Sequence, residues 1–454
     1  MKLVYGIKDK PKFGQMIVFA VQQLLAIMAA TLAVPIITGN GMSPAAALFG
    51  AGAGTLIYVL FTKANSPVFL GSSFAFLGSM AAAFAGAATV EVGYLGLIIG
   101  AILAGLVYVV IAILVKFVGV GWLNKLMPTV VIGPTVAIIG LSLAGNAIGD
   151  LQTGGVKDSV GSAVAHPLIC VLVGIITLIV TTVCSTYGKK MTKLIPFIIG
   201  ILAGYAVGVV FTVIGNAAGI DALKVISFGS FANLVEGGVG LKTFVQLPEF
   251  TFIRALGGFS GISGQYIGTI ATAYVPVALV VFAEHIADHK NISSIIEKDL
   301  LEDPGLSRTL LGDGVGSMVG AFFGGCPNTT YGESVACVAI TGNASVATII
   351  TTAVLAIIVS FFAPFVAFVN SIPSCVMGGV CIALYGFIAV SGLKMVQKVD
   401  LEENRNLFVV STILICGIGG LALNFGAVTI TSIATALILG IIVNQILGHK
   451  KSEK

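Results

Sequence analysis

Long uncharged apolar runs recur along almost the whole chain and dominate what it can fold into. The first of them, residues 14–38, contains no charged residue, and about 20 apolar residues suffice for a helix to cross a bilayer. Of the 454 residues, 57% are apolar and only 9% are charged, whereas soluble domains carry about 25% charged residues. This composition excludes a water-soluble enzyme, a nucleic-acid-binding protein and a disordered protein. It predicts an all-α polytopic membrane protein.

The hydropathy pattern divides the chain into fourteen segments that we predict to be transmembrane. They lie at 14–38, 43–62, 67–88, 93–116, 127–145, 166–186, 194–217, 270–290, 309–325, 328–341, 345–366, 373–391, 405–422 and 427–447. The segment at 328–341 is too short to cross the membrane as one helix. The segment at 67–88 is interrupted by small and polar residues, Gly71, Ser72 and Ser73.

The distribution of basic residues predicts the orientation in the membrane. If the N-terminus lies in the cytoplasm and each segment crosses once, 19 lysines and arginines fall on the inner side. Only Lys157, Lys224, Lys242 and Arg254 fall outside. Cytoplasmic loops of membrane proteins are enriched in Lys and Arg. We therefore expect a multi-pass protein of the cytoplasmic (inner) membrane with both termini in the cytoplasm.

The two halves of the chain share short motifs at corresponding places. MPTVVIG at 127–133 resembles IPSCVMG at 372–378, and Pro67 with GSSFAF resembles Pro327 with NTTYGE. Because each half has seven segments, an odd number, the second half would enter the membrane from the opposite face. The pattern predicts an inverted repeat, as in many secondary transporters. Chance similarity between glycine- and proline-rich segments is the alternative.

The interrupted third and tenth segments predict a binding site. Backbone that leaves helical geometry inside a membrane persists only where protein buries it or where it lines a cavity. We expect extended stretches at 72–76 and 329–333, each followed by a half-helix. The N-terminal N–H groups of these half-helices would point toward the middle of the membrane and offer donors to a polar ligand.

Several carboxylates fall within the predicted membrane segments. Glu284 and Asp288 are four residues apart and share one helix face, and Glu333 lies in the tenth segment. Such groups can carry protons or accept hydrogen bonds from substrate N–H groups. The alternative is that they only brace helices or, for Asp288, face water near the cytoplasmic mouth. We expect Asp313 to cap the ninth helix and His289 to lie at the water interface.

No cofactor signature is present in the sequence. We find no Walker A motif, no dinucleotide-binding glycine pattern and no Cys/His cluster with metal-ligand spacing. We therefore expect no cofactor and no metal. Without a nucleotide-binding motif, the driving force is an ion gradient or facilitated diffusion.

Three motifs resemble the nucleobase–ascorbate transporter family, and most of all its bacterial uracil permease branch. They are SPVFLGSSFAFLGSM (66–80), AEHIADH (283–289) and PNTTYGESVACVAITG (327–342). The resemblance implies fourteen spans in two inverted repeats of seven, and import of uracil together with a proton. It also implies a homodimer that works by an elevator-like motion of a core domain against a gate domain.

The resemblance divides the chain into domains. The core domain would comprise residues 14–122 and 269–367, and the gate domain residues 123–220 and 368–447. An N-terminal segment (1–13), an extracellular loop (221–268) and a cytoplasmic tail (448–454) would complete the chain.

The resemblance also assigns residues to a site. Glu284 and Glu333 correspond to the two substrate-binding glutamates, and the backbone of Phe74 and Gly332 would meet the base beside Tyr331. Glu284 and Asp288 would couple transport to protons. Five further residues are expected to contact the binding residues without touching the base themselves, namely Gln22, Ser73, His285, Thr330 and Ser334.

The chain departs from the family pattern in ways that bear on substrate and coupling. Asp288 stands where uracil permeases have a histidine, and Ser334 stands where the signature has an asparagine. A purine or xanthine permease of the same family therefore remains an alternative. An anion transporter of the same architecture fits less well, because buried carboxylates repel anions. A channel is a further alternative, which would show flux without accumulation and no coupling to pH.

Overall fold

A computed structural model describes residues 3–119, 121–158, 161–189, 191–425 and 428–448. Five of the lysines counted on the cytoplasmic side lie outside these ranges, namely Lys2, Lys190, Lys450, Lys451 and Lys454, as does most of the expected tail.

The first half of the described chain is helical, with one short strand. Its elements are α1 (Phe13–Thr38), α2 (Pro44–Phe61), β1 (Leu70–Ser72), α3 (Leu77–Ala85), α4 (Val90–Val118), α5 (Gly121–Leu126), α6 (Thr129–Ser142), α7 (Ala144–Leu151), α8 (Pro167–Tyr187), α9 (Met191–Leu194) and α10 (Pro196–Ala218). A 3₁₀ turn at Phe74–Phe76 leads directly into α3.

A connection of short helices leads into the second half. The connecting helices are α11 (Gly229–Val235), α12 (Leu241–Phe244) and α13 (Thr251–Ala255). The second half then contains α14 (Gly264–Ile296), α15 (Leu306–Gly324), β2 (Asn328–Thr330), α16 (Gly332–Thr341), α17 (Val346–Ser360), α18 (Ala363–Ser371), α19 (Ser374–Val396), α20 (Asn404–Ile418), β3 (Leu423–Phe425), β4 (Val428–Ile430) and α21 (Ser432–Gly448).

Eight helical stretches of the described chain are long and apolar enough to cross a membrane. They are α1, α2, α4, α6 with α7, α8, α10, α14 and α19. Large apolar side chains project outward from these and other helices, for example Phe117, Leu168 and Ile415, which are 78%, 70% and 73% exposed. Outward-facing apolar side chains at this density are unfavourable in water but stable against lipid.

Two elements differ from the sequence prediction. The span predicted at 345–366 is wrong at its end, because α17 stops at Ser360 and α18 begins at Ala363. Pro364 explains the break, since proline has no N–H to continue α17 but fits the first turn of α18. The hairpin of β3 and β4 was not predicted either, so the described part of the chain is helical with four short strands rather than entirely α.

The extended stretches predicted in the third and tenth segments are present, but each begins earlier than expected. They form β1 and β2 at 70–72 and 328–330 rather than 72–76 and 329–333. The turn at Phe74–Phe76 is already helical, so the half-helix includes residues that we expected to be extended.

The two strands pair with each other across the halves of the chain. They are antiparallel, with Gly71 opposite Thr329 and Ser72 opposite Asn328. Pairing satisfies backbone N–H and C=O groups that lipid cannot bond. The ring of Tyr331 packs directly over Gly71, where any side chain would overlap it. Glycine is therefore required at this point of the strand.

The helices pack mainly in two groups. The first group contains α1 to α4 and α14 to α17, with extensive packing of α15 against α2 and α4. The second group contains α6 to α8, α10 and α19 to α21, where α19 packs against α6 and α8. The paired strands β1 and β2 belong to the first group, and their half-helices point their N-termini toward the second.

Residues 3–10, which we call the N-terminal strap, pair with the connection between α16 and α17. The backbone N–H of Ala344 donates to the carbonyl of Tyr5 at 2.9 Å. The ammonium of Lys8 donates to the carbonyl of Ala64, just beyond α2, at 3.1 Å. Through these hydrogen bonds the N-terminal strap connects the C-terminal end of the half-helix α16 to the C-terminal end of α2.

Residues 249–261, which we call the second strap, make the corresponding contacts in the other half. Thr251 lies beside Gly325 at the end of α15. Gly258 lies against the backbone of Glu91, in the first turn of α4. Here α15 and α4 take the places that α2 and α17 occupy around the N-terminal strap.

Candidate functional site

A cavity of about 460 Å³ lies between the two helix groups, where the half-helices begin. From the first group it is lined by Ala26, Ser73, Phe74, Ala75, Val280, Ala283, Glu284, Ala287, Asp288, Thr329, Tyr331, Gly332, Glu333, Ala336, Cys337 and Ile340. From the second group it is lined mainly by apolar side chains, among them Val136, Ile139, Phe197, Leu384, Phe387 and Ile388.

Helix α14 supplies two carboxylates to one wall of the cavity. Glu284 and Asp288 both line it, as their spacing of four residues on one helix face predicts. The hydroxyl of Thr330, at the end of β2, donates to Asp288 Oδ2 at 2.7 Å. Asp288 is therefore held inside the cavity by the second strand. Thr330 itself does not line the cavity.

Glu333 lies in the first turn of α16, beside the N-terminus of that half-helix. The first N–H groups of a helix have no partner within it and carry a partial positive charge. The N–H groups at Gly332 and Glu333 therefore lie at the cavity wall with a carboxylate among them. Glu284, Asp288 and Glu333 are close enough to one another to interact electrostatically.

Two aromatic residues shape the cavity. Phe74 begins the other half-helix, and its ring lies edge-on against Tyr385 of α19, with the centroids 5.9 Å apart. Tyr331 is buried, and its hydroxyl donates to the carbonyl of Ser72 at 2.7 Å. Phe74 thus contacts the second helix group across the cavity, whereas Tyr331 lines the cavity and covers the paired strands.

Ser334 supports the start of α16, and its glutamine partner is Gln23 rather than Gln22, the glutamine that we expected to support the site. The Ser334 hydroxyl accepts hydrogen bonds from Gln23 Nε2 at 2.5 Å and from the backbone N–H of Phe69 at 3.2 Å. Gln22 makes neither contact, and its side-chain oxygen is buried without a partner among the described residues. Since α1 turns about 100° per residue, Gln23 faces α16 and Gln22 does not.

His285 lies on the face of α14 that is turned away from the cavity. It is fully buried, with Nδ1 2.7 Å from Asp313 Oδ2 and Nε2 3.0 Å from the hydroxyl of Thr309. Asp313 lies within α15, so the expectation that it caps this helix is wrong. His289 is also fully buried and lies 2.7 Å from the hydroxyl of Tyr58, not at a water interface.

The sequence did not point to several residues that line the cavity. Thr329 lies in β2 and within the motif at 327–342 but was not assigned to the site, and Ser73 lines the cavity rather than only supporting it. Lys193 is the one basic residue among the described lining residues. Nothing in the sequence distinguishes this lysine from other basic residues of its loop. The apolar lining from α6 and α19 lacks a signal as well, because it resembles ordinary helix packing.

The cavity suits a flat, polar ligand. Its carboxylates can accept hydrogen bonds from N–H groups, the helix N-termini can donate to carbonyl oxygens, and Phe74 offers an aromatic face or edge. In the described part of the chain, no group of three His, Cys, Asp or Glu side chains is arranged to hold a metal ion.

Comparison with known proteins shows to which family the chain belongs. A family model described as "Permease family" matches residues 14–426. A uracil permease from Bacillus caldolyticus is 38% identical over 453 residues, covering 98% of this chain and 95% of that protein. A uracil permease from Bacillus subtilis (strain 168) is 37% identical over an alignment of 461 residues, covering 100% of this chain and 97% of that protein.

The fold also resembles a solved structure. The transmembrane domain of a cyanobacterium bicarbonate transporter, BicA, has a TM-score of 0.63 at 16% identity, covering 97% of this chain and 100% of that one. At this identity the likeness shows a shared helical fold. The family match and the uracil permease relatives identify the chain as a member of the nucleobase–ascorbate transporter family, a multi-pass membrane transporter and not an enzyme.

Proposed function

We propose that this protein is a proton-coupled secondary active transporter that imports uracil, or a closely related nucleobase, across the cytoplasmic membrane. The observation that carries the proposal is the joining of three carboxylates and two half-helix N-termini in one cavity. Uracil presents both N–H donors and C=O acceptors on a flat ring, and the cavity offers partners for each.

The ligand contacts follow from the chemistry of the lining. Glu284 and Glu333 accept hydrogen bonds from ring N–H groups, and backbone N–H groups at Phe74 and Gly332 donate to ring oxygens. The buried ring of Tyr331 holds the strands in place behind the base. The apolar lining from the second helix group covers the remaining ring surface and excludes water.

Proton coupling follows from the crowding of carboxylates. Negative charges at Glu284, Asp288 and Glu333 repel one another in a site of low polarity, so uptake of a proton by Glu284 or Asp288 relieves the repulsion. A protonated site carries less charge through the membrane, so moving it costs less free energy. Binding of the base and the proton together therefore favours the transport step.

The transport step is an elevator-like motion of a core domain against a gate domain. The first helix group corresponds to a core of residues 14–122 and 269–367, and the second to a gate of residues 123–220 and 368–447. The paired strands and the matching straps support two inverted repeats of seven spans. A homodimer with both termini in the cytoplasm completes the proposal.

Uptake into proteoliposomes tests the function. The wild-type protein should accumulate labelled uracil when the outside is more acidic than the lumen, and an uncoupler should abolish the accumulation. Glu284→Gln keeps the size of the side chain but removes its charge and its proton, and we expect it to lose accumulation. Glu91→Gln, at the start of α4 and away from the cavity, is the control. Unchanged uptake and an unchanged pH profile in Glu284→Gln would remove this residue from the mechanism.

A purine or xanthine permease is the second candidate. The cavity of about 460 Å³ is larger than a single pyrimidine ring requires, and Asp288 replaces the histidine of the uracil branch. Competition between unlabelled uracil and unlabelled xanthine for uptake separates the two. Stronger inhibition by xanthine would assign the purine function.

A further inference from the structure

Two buried hydroxyls at the cavity have no partner among the described residues. Ser73 Oγ and Thr329 Oγ1 are both in this state, although the two residues are only 1% and 2% exposed. Both residues line the cavity. A buried hydroxyl without a hydrogen bond is unfavourable, so a ligand group or a bound water has to complete it.

The pairing of the strands explains why these two side chains face the cavity. Successive residues of a strand point to opposite faces. The side chain of Asn328 faces α2, where its amide donates to the carbonyl of Gly50 at 3.1 Å. The next residue, Thr329, therefore faces the other way. Gly71 is its direct partner on β1, and Ser73, two residues further along, shares that face.

Position 71, directly opposite Thr329, is a glycine and carries no side chain of its own, and the ring of Tyr331 covers it. Ser73 and Thr329 both line the cavity on this face of the strands. The two hydroxyls therefore form a polar edge that is contributed by both halves of the chain. This edge is separate from the three carboxylates, which lie on α14 and α16.

We propose that Thr329 and Ser73 bind a ring carbonyl oxygen of the substrate and so set its specificity. This inference rests on the proposed nucleobase function and deepens it. The carboxylates can only accept hydrogen bonds when ionised, so they select for ring N–H groups. The two hydroxyls donate, and thereby select for an exocyclic oxygen over a poor acceptor such as sulfur.

Binding of uracil, 2-thiouracil and 4-thiouracil to the purified protein tests the inference. The wild type should prefer uracil to at least one thio analogue by about tenfold, the effect expected for one hydrogen bond. Thr329→Val keeps the shape of the side chain but removes the hydroxyl, and should bring this preference close to one. Thr329→Ser restores a hydroxyl and should restore the preference. Ser73→Ala should reduce it in the same direction.

Thr352→Val is the matched control. Thr352 is also a buried threonine of the first helix group, but its hydroxyl bonds within α17, to the carbonyl of Thr348 at 2.9 Å. It should keep the wild-type preference. A Thr329→Val protein that binds uracil with the full wild-type preference over both analogues would overturn the inference alone. A wild-type protein that binds no uracil would overturn the proposed function and this inference with it.

Discussion

Asp288 is the carboxylate of the cavity at which the chain departs from the pattern of the uracil permease branch. A histidine at this position would be neutral or positive, whereas Asp288 is neutral or negative, so it adds to the negative charge near Glu284 and Glu333. Thr330 holds the carboxylate at the cavity wall. The sequence showed the substitution, but the side chain's place in the cavity depends on a strand from the other half of the chain.

Removing this charge should alter coupling more than binding. Asp288→Asn keeps an oxygen that can accept from Thr330 but can no longer take up a proton. We expect uracil affinity to change by less than about threefold, because less than one hydrogen bond is lost. The dependence of uptake on external pH should flatten. Asp221→Asn, on the surface and paired with Lys224, is the control. A wild-type pH profile in Asp288→Asn would assign coupling to Glu284 alone.

Residues that belong to a recognisable motif were easier to assign to the site than residues whose direction depends on their angle around a helix axis. Glu284, Glu333 and Phe74 were expected at one site, and the structure brings all three to one cavity. Gln22 was expected to support the site, whereas the hydrogen bond to Ser334 comes from Gln23, because neighbouring residues of α1 differ by about 100° in direction. The partners of His285 could not be predicted, since Asp313 and Thr309 lie on another helix whose facing side the sequence does not specify.

At the scale of elements, the paired strands depend on a single glycine. Gly71→Ala would place a methyl group in the ring of Tyr331, and overpacking of this kind typically costs about 1–3 kcal/mol. We expect the variant to unfold at lower temperature and to lose uracil uptake, because both half-helices start from these strands.

Gly78, in the half-helix α3 that follows β1, offers a matched control. No heavy atom of the described chain lies within 4 Å of the place where Gly78 would carry a side chain, and alanine favours a helix over glycine by about 1 kcal/mol. Gly78→Ala should therefore be neutral or stabilising and should retain uptake. Equal stability of the two variants, measured by thermal unfolding, would show that Gly71 and Tyr331 are not tightly packed.

The elements themselves were partly predictable. Long apolar helices such as α4 and α8 were found within a few residues, because apolar runs specify them. The shift of β1 to 70–72 was not foreseen, since the point where a strand gives way to a helix depends on its partner strand. In the hairpin, β3 lies in the predicted loop between 405–422 and 427–447, and β4 lies at the start of the predicted segment 427–447. Strands of three residues are too short for an alternation of apolar and polar residues to mark them.

Across the whole molecule, the N-terminal strap holds the C-terminal end of the half-helix α16, and the second strap contacts α15 and α4. Tyr5→Pro removes a backbone donor of the N-terminal strap, the one that bonds the carbonyl of Gly342, and we expect it to lower the free energy of unfolding by about 1 kcal/mol. Uracil uptake should fall as well, because α16 carries Glu333. Thermal unfolding and uptake measure the two effects.

Tyr5→Phe separates the side chain from the backbone. It removes only the hydrogen bond from the Tyr5 hydroxyl to Gln15 and should leave uptake unchanged. If Tyr5→Pro behaves like Tyr5→Phe, the N-terminal strap has no role in holding α16. The sequence predicted a cytoplasmic N-terminal segment but gave no sign of this pairing, because the segment is short and polar.

The pairing of β1 with β2 has a consequence for biosynthesis. Tyr331 and Ser72, which meet at this joint, are 259 residues apart in the chain. At about 5–20 residues per second, the ribosome needs roughly 13 to 52 s to make the intervening stretch. During that time β1 has already been synthesised but β2, its partner strand, has not. The backbone groups of Leu70–Ser72 therefore lack their partner strand until residues 328–330 have been made, so the two halves of the chain join here only late in synthesis.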